Sequence, residues 1–169
     1  MIYTIGHSTR LIKSLLGILN EYEIVQVVDV RTIPYSKFTP QFNKEALAGS
    51  LKSAGIEYVH MKELGGLRHP IMDSVNLGWK NASFRGYADY MQTANFAEAI
   101  EKLIEICEDV NTAIMCAEAV PWRCHRSLIA DALVIRGLNV MHILSKTSSR
   151  EHELTAFARI RGKIITYPK

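Results

Sequence analysis

Residues 2–30 read IYTIGHSTRLIKSLLGILNEYEIVQVVDV, and two periodicities in this stretch decide the fold. Ile2 to Ile5 is a short apolar run. Ile12, Leu15, Leu16, Leu19 and Tyr22 then recur at helical spacing, and Ile24 to Val30 is again rich in β-branched residues. A strand, a helix and a second strand in immediate succession form the unit of a parallel sheet, because parallel neighbours need a crossover connection between them.

The same alternation continues outward. After a loop containing Pro34, Asn43 to Ala54 reads as a helix with Asn43 at its N-cap and Gly55 closing it, and Ile56 to His60 reads as a third strand. Met61 to Lys80 has no period and carries Gly65-Gly66, His69-Pro70 and Gly78-Trp79. A loop of that length inside a compact domain is usually functional or mobile. Tyr87 to Asp109 places Phe96, Ile100, Leu103, Ile104 and Cys107 on one stripe, which predicts a single helix with Cys107 in the core. Asn111 to Cys116 is the fourth strand, Cys124 to Arg136 a helix ended by Gly137, and Asn139 to Leu144 the fifth strand. Residues 144–169 form a C-terminal extension in which Lys163 to Tyr167 is an edge-strand candidate.

The expectation is one α/β domain over residues 1–169. It has an open, mostly parallel five-stranded sheet with helices on both faces, in Rossmann- or flavodoxin-like layering. Composition agrees: 169 residues with 48% apolar and 22% charged side chains exclude a disordered or coiled-coil chain. No apolar run reaches the roughly 18 residues of a membrane span. Met1 to Gly6 lacks the basic region and long apolar stretch of a signal peptide. The expected location is therefore the cytoplasm, with no membrane partner. Three Cys, an odd number without an export signal, point to reduced thiols. A net charge of +3 allows an anionic partner without demanding one.

In open parallel sheets ligands bind beyond the carboxyl ends of the strands. Four of those ends are unusually polar here: Gly6-His7-Ser8, Asp29-Val30-Arg31, His60 with Glu63 to Gly66, and Cys116-Ala117-Glu118 running on to Arg126. All four should converge on one rim and form a pocket there.

These segments resemble a known family. Thr-Ile-Gly-His-Ser (4–8), Asp-Val-Arg with Pro34 and Ser36 (29–36), Leu-Gly-Gly (64–66), Cys-Ala-Glu (116–118), Cys-His-Arg-Ser (124–127) and His-Glu-Leu-Thr (152–155) are similar, in order and spacing, to segments of the domain of unknown function 488 family. The resemblance runs from Thr4 to about Tyr167 and implies a compact prokaryotic α/β domain. It brings no reaction, so the mechanism must come from the residues.

Cys116 to Arg126 is the densest segment. A helix starting near Cys124 would direct free N–H groups and a positive dipole end at the rim, which suits an anion, and Arg31 and Arg126 could add bidentate donors. The same position lowers a thiol pKa, so Cys124, beside His125, is a candidate nucleophile. Six residues separate Cys116 from Arg123 and one separates Cys124 from Arg126. Neither spacing matches the phosphate-cradling thiol loop, which disfavours a phosphatase or sulfurtransferase of that type. Glu118 and His7 are candidates for acid/base work. Ser8, Asp29, Gly65, Cys116 and His125 complete the candidate rim set.

Each of these residues also has a purely structural reading. Cys124 packs behind its helix, His125 caps a carbonyl, Arg126 pairs with Asp29 or Glu118, Cys116 is buried at a strand end, His7 ties its own loop, and Asp29 holds Arg31 in an internal ion pair. Tyr35, Phe38, Trp79, Phe84 and Tyr87 offer faces on which a planar ligand could stack. Paired metal-ligand spacing is missing, so no metal is expected, although a set drawn from His7, Cys116 and Glu118 stays open. Gly6-His7-Ser8 is not a dinucleotide fingerprint, and no cofactor is expected.

The first functional expectation is a small enzyme, a hydrolase or transferase, acting on an anionic, phosphate-bearing or nucleotide-like substrate. The alternatives are a non-catalytic module that binds a nucleotide or nucleic acid, and a thiol-based redox protein. Nothing in the sequence sets an oligomeric state.

Overall fold

The computed structural model describes residues Met1–Lys169. Five strands run parallel: β1 (Ile2–Gly6), β2 (Gln26–Asp29), β3 (Glu57–His60), β4 (Thr112–Cys116) and β5 (Val140–Ser145). β6 (Ser148–Glu151) adds an antiparallel edge beside β5, so the order across the sheet is β3-β2-β4-β1-β5-β6. The helices are α1 (Ile12–Glu21), α2 (Lys44–Ser53), α3 (Ala82–Tyr90), α4 (Ala94–Ile106) and α5 (Arg126–Val134). None is long and apolar enough to cross a membrane.

Strand alternation divides the core between the two faces of the sheet. In β4, Ala113 and Met115 join Leu15, Leu19, Leu47 and Leu51 on the α1/α2 side. Ile114 and Cys116 join Phe96, Leu103, Leu128 and Leu133 on the α3–α5 side. Cys116 therefore leaves the sheet on the face that α5 covers. Its register partner on β1 is Gly6. A Cβ on Gly6 would stand 1.8 Å from the Glu118 carbonyl oxygen, so this close approach of the β4 loop to β1 requires glycine.

The architecture is the one the periodicity predicts, with one strand more. Four local expectations are corrected. First, the helix expected over Tyr87 to Asp109 is two helices, α3 and α4. The chain breaks at Met91–Thr93, where the Thr93 hydroxyl caps α4 by accepting from Phe96 N. Second, α5 begins at Arg126 rather than Cys124, because Pro121–Arg123 forms a 3-10 turn and Cys124 is extended. Third, Ile164–Thr166 (β8) pairs with Arg159–Arg161 (β7) in a separate hairpin instead of at the sheet edge, which β6 occupies. Fourth, Asn43 stands at the N-cap of α2, but its side chain accepts from Ser36 N and leaves the helix uncapped.

The long loop after β3 is tied down. Asp89 on α3 accepts from Ile71 N, the Ser74 hydroxyl and the Asn76 amide at 2.6–3.0 Å, so both oxygens of a buried carboxylate are held by one loop.

Candidate functional site

A cleft of about 460 Å³ opens beyond the carboxyl ends of β2 and β4. Arg31, Cys116, Glu118, Cys124 and His125 line it together with an aromatic wall of Phe84 and Tyr87. Cys124 is 7% exposed, at the junction between the 3-10 turn and α5. Its Sγ lies 2.7 Å from Cys116 Sγ and 3.5 Å from His125 Nδ1, and the Arg126 backbone N–H donates to it at 3.5 Å. His125 Nε2 lies 3.1 Å from the Val30 carbonyl, which accepts only, so Nε2 carries a proton and Nδ1 faces the thiol. His125 can thus take the Cys124 proton.

The two thiols are driven apart in acidity. The hydrogen bond from Cys116, with support from His125 and the Arg126 charge, outweighs burial and holds Cys124 well below the ordinary thiol range. Burial pushes Cys116 up, so the pair holds its proton on Cys116.

Arg126 is fully buried, and each of its three guanidinium nitrogens finds an acceptor inside the protein. Nε donates to Cys116 Sγ at 2.9 Å, NH1 to Thr4 Oγ1 at 3.0 Å, and NH2 to the Glu118 and Ala119 carbonyls. Thr4 continues the chain: its hydroxyl lies 2.6 Å from His142 Nδ1, His142 Nε2 lies 2.8 Å from His152 Nδ1, and His152 Nε2 lies 2.7 Å from Asp131 Oδ1. Arg126 donates at one end and the Asp131 carboxylate accepts at the other, so the hydrogen bonds can run in one direction from Thr4 through His142 and His152 to Asp131. Burial, with His152 and Arg126 beside it, lowers His142 to about 3, in keeping with a neutral ring. Asp131 also accepts from Thr155 N, Thr155 Oγ1 and Tyr167 Oη.

A second buried cluster lies beside the cleft. Arg31 binds Asp29 through Nε and NH2 at 2.9 and 2.7 Å, and Asp29 also accepts from Tyr58 Oη at 2.6 Å. Arg31 NH1 donates to His7 Nε2 at 3.2 Å, while His7 Nδ1 donates to the Ser8 carbonyl at 2.8 Å. Both ring nitrogens of His7 are therefore engaged. The ring is 3% exposed and stacks on Phe42, and burial lowers its pKa.

A family model for a domain of unknown function, DUF488, matches residues 11–133. The chain belongs to the DUF488 family. Comparison with curated proteins and with solved structures gives no match. The DUF488 match takes in Arg31, Cys116, Glu118, Cys124, His125 and Arg126, whereas His7, Ser8, His142 and His152 fall outside it.

The candidate rim residues of this DUF488 chain thus separate by role. Cys124, Cys116 and His125 meet at the cleft floor. Glu118 is exposed at the cleft and accepts from Val120 N through its carboxylate. Arg31 and Arg126, expected to hold a ligand anion, are engaged internally, and His7 serves Arg31. Ser8 donates its backbone N–H to the Ala117 carbonyl, and Asp29 holds Arg31 as the structural reading has it. A Cβ on Gly65 would come within 2.3 Å of Thr32 Oγ1, so Gly65 packs on Thr32 while Gly66 lines the cleft. Tyr35 and Phe38 are exposed on the loop after β2, and Trp79 stacks behind Phe84 at 4.9 Å.

The cation left free at the cleft is Arg123, exposed and without an ion-pair or hydrogen-bond partner for its side chain. No three His, Cys, Asp or Glu side chains converge as a metal-ligand set.

Two features escaped the sequence reading. The meeting of Cys116 and Cys124 is signalled only by a thiol at a strand end and another before the next helix. The His142–His152–Asp131 chain was signalled by the His-Glu-Leu-Thr segment, two of whose members, His152 and Thr155, grip Asp131.

Proposed function

We propose that the chain is a cysteine-dependent enzyme in which the Cys124 thiolate attacks an electrophilic centre of a small anionic substrate held in the cleft. The observation that carries this reading is the setting of Cys124, which lines the cleft while Cys116, His125 Nδ1 and the Arg126 N–H all approach its Sγ. That combination of hydrogen-bond donors and a nearby cation activates a thiol.

Arg123 at the cleft supplies the charge for a substrate anion. The backbone N–H groups of Ala117, Glu118 and His125, which have no acceptor in the protein, supply neutral donors at the same place. Glu118, exposed at the cleft, is the candidate to exchange a proton with a leaving group. Phe84 and Tyr87 offer an apolar face to the remainder of the substrate. The chemistry requires reduced thiols, which fits a cytoplasmic setting.

Competing alkylating agents test this. Iodoacetate and iodoacetamide differ mainly in charge, so the reading predicts that Cys124 reacts faster with iodoacetate. Cys107, buried by the core, should stay unmodified. Equal sluggishness of Cys124 toward both reagents would remove the reading.

A further inference from the structure

An activated thiol that passes an acyl or phosphoryl group to water has no use for a second thiol at its side. Cys116 is nevertheless in hydrogen-bond contact with Cys124 at 2.7 Å, and both line the cleft. It differs from Cys107, a core thiol, in one further respect. Arg126 Nε donates to the Cys116 sulfur at 2.9 Å, and the other partners of this buried guanidinium are a hydroxyl and two carbonyls. A buried cation is paired with an anion wherever one is within reach, because leaving it alone in a low-dielectric interior is costly. The only group touching this guanidinium that can become anionic is the Cys116 sulfur. Cys116 is thus placed where its own thiolate is stabilised at the moment it forms.

The sulfurs sit on fixed elements: Cys116 closes β4 in register with Gly6, and Cys124 is anchored through its carbonyl, which accepts from Ser127 N and the Ser127 hydroxyl. Closing a bond of about 2.05 Å from this separation needs a shift of well under an ångström, small against ordinary side-chain motion.

We propose that Cys116 is the resolving thiol for Cys124, and that the cleft takes a small disulfide bearing an anionic group. The proposal rests on the reading of Cys124 as the nucleophile and names its substrate class. In the first step the Cys124 thiolate attacks one sulfur of R–S–S–R′. The Cys124–SR bond forms, the substrate S–S bond breaks, and R′S⁻ departs with the electron pair. The Cys116 proton passes to R′S⁻. The Cys116 thiolate, held by Arg126 Nε, then attacks Cys124 Sγ, which forms the internal disulfide and expels RS⁻. Two electrons move from the protein pair to the substrate, which leaves as one thiol and one thiolate, so atoms and charge balance. A dithiol reductant restores the pair by the reverse exchange and is itself oxidised to a disulfide.

The test mixes the reduced protein at neutral pH with dithiobis(nitrobenzoate), an anionic aromatic disulfide, and follows released thionitrobenzoate, intact mass and peptide maps. The wild type should release two equivalents and finish without an adduct, lighter by two hydrogens, with Cys116 joined to Cys124. Cys116→Ser should release one equivalent and keep the adduct on Cys124, and Cys116→Ala should do the same if the serine variant folds poorly. If the wild type releases one equivalent and keeps its adduct, Cys116 does not resolve Cys124, while the nucleophile reading stands. If native Cys124 does not react, the nucleophile reading falls and this proposal with it.

Discussion

Arg126 Nε donates to Cys116 Sγ at 2.9 Å, and no carboxylate touches the guanidinium, so a fully buried cation is matched by sulfur. The arrangement ties the reactivity of the thiol pair to the stability of the fold. Arg126→Lys keeps the charge but cannot reach Thr4, Glu118 and the thiol together. It should cost about 2 kcal/mol or more of stability, because acceptors buried with the guanidinium lose their donors. It should also slow alkylation of Cys124 at neutral pH. Chemical unfolding and labelling rates check both parts.

Asp131 answers four donors from His152, Thr155 and Tyr167. Asp131→Ala leaves them unpaired in the interior, at a cost of about 3–5 kcal/mol, the range for breaking a buried charged network. Asp131→Asn keeps an acceptor for His152 and should cost less. The order Ala worse than Asn in urea midpoint is the outcome to look for, and a reversal would mean that an acceptor at this position is not what holds the network.

His142 sets an acid limit. Its pKa is about 3 in the folded protein against an ordinary 6.5. The unfolded chain therefore binds a proton first as pH falls. Stability from the neutral ring is complete above about pH 6.5 and drains away toward pH 3. His7, also lowered by burial, adds to the same slope. Urea midpoints at several pH values should fall through this window, and His142→Gln, which cannot titrate, should flatten the fall but not abolish it.

Arg123 is exposed and its side chain bonds to nothing, so Arg123→Ala should change stability by no more than about 0.5 kcal/mol. The same variant should lose the preference of Cys124 for iodoacetate over iodoacetamide. A charge-assisted contact of about 1.5 kcal/mol corresponds to roughly tenfold in relative rate. An unchanged preference would place the anion elsewhere in the cleft.

The sheet was legible because its strands carry a face. Val27 and Val28, or Ala113 and Ile114, alternate between two buried layers, and that period survives in one sequence. β6 was not legible because Ser148–Glu151 is exposed at every position and has no apolar face to betray it. The break between α3 and α4 was hidden because the apolar stripe from Phe96 to Cys107 belongs to α4 alone and sets no start for the helix, while the capping hydroxyl of Thr93 reads in isolation as an ordinary helix residue.

A cleft beyond the ends of β2 and β4 was likewise readable from topology, although the β1 end with His7 and Ser8 does not line it. The roles of the arginines were not. Arg31 follows an Asp two residues back, which announces its ion pair, but Arg126 turns inward toward Thr4 and Cys116, residues that are 122 and 10 positions away. No local pattern encodes such distances.

The most direct measurement is the rate of Cys124 alkylation by iodoacetamide as a function of pH, read by peptide mass. If Cys116, His125 and Arg126 hold Cys124 as a thiolate, its rate stays high and nearly flat well below the ordinary thiol pKa of about 8.5. A rate that is low at neutral pH and climbs only through that ordinary range would contradict the account.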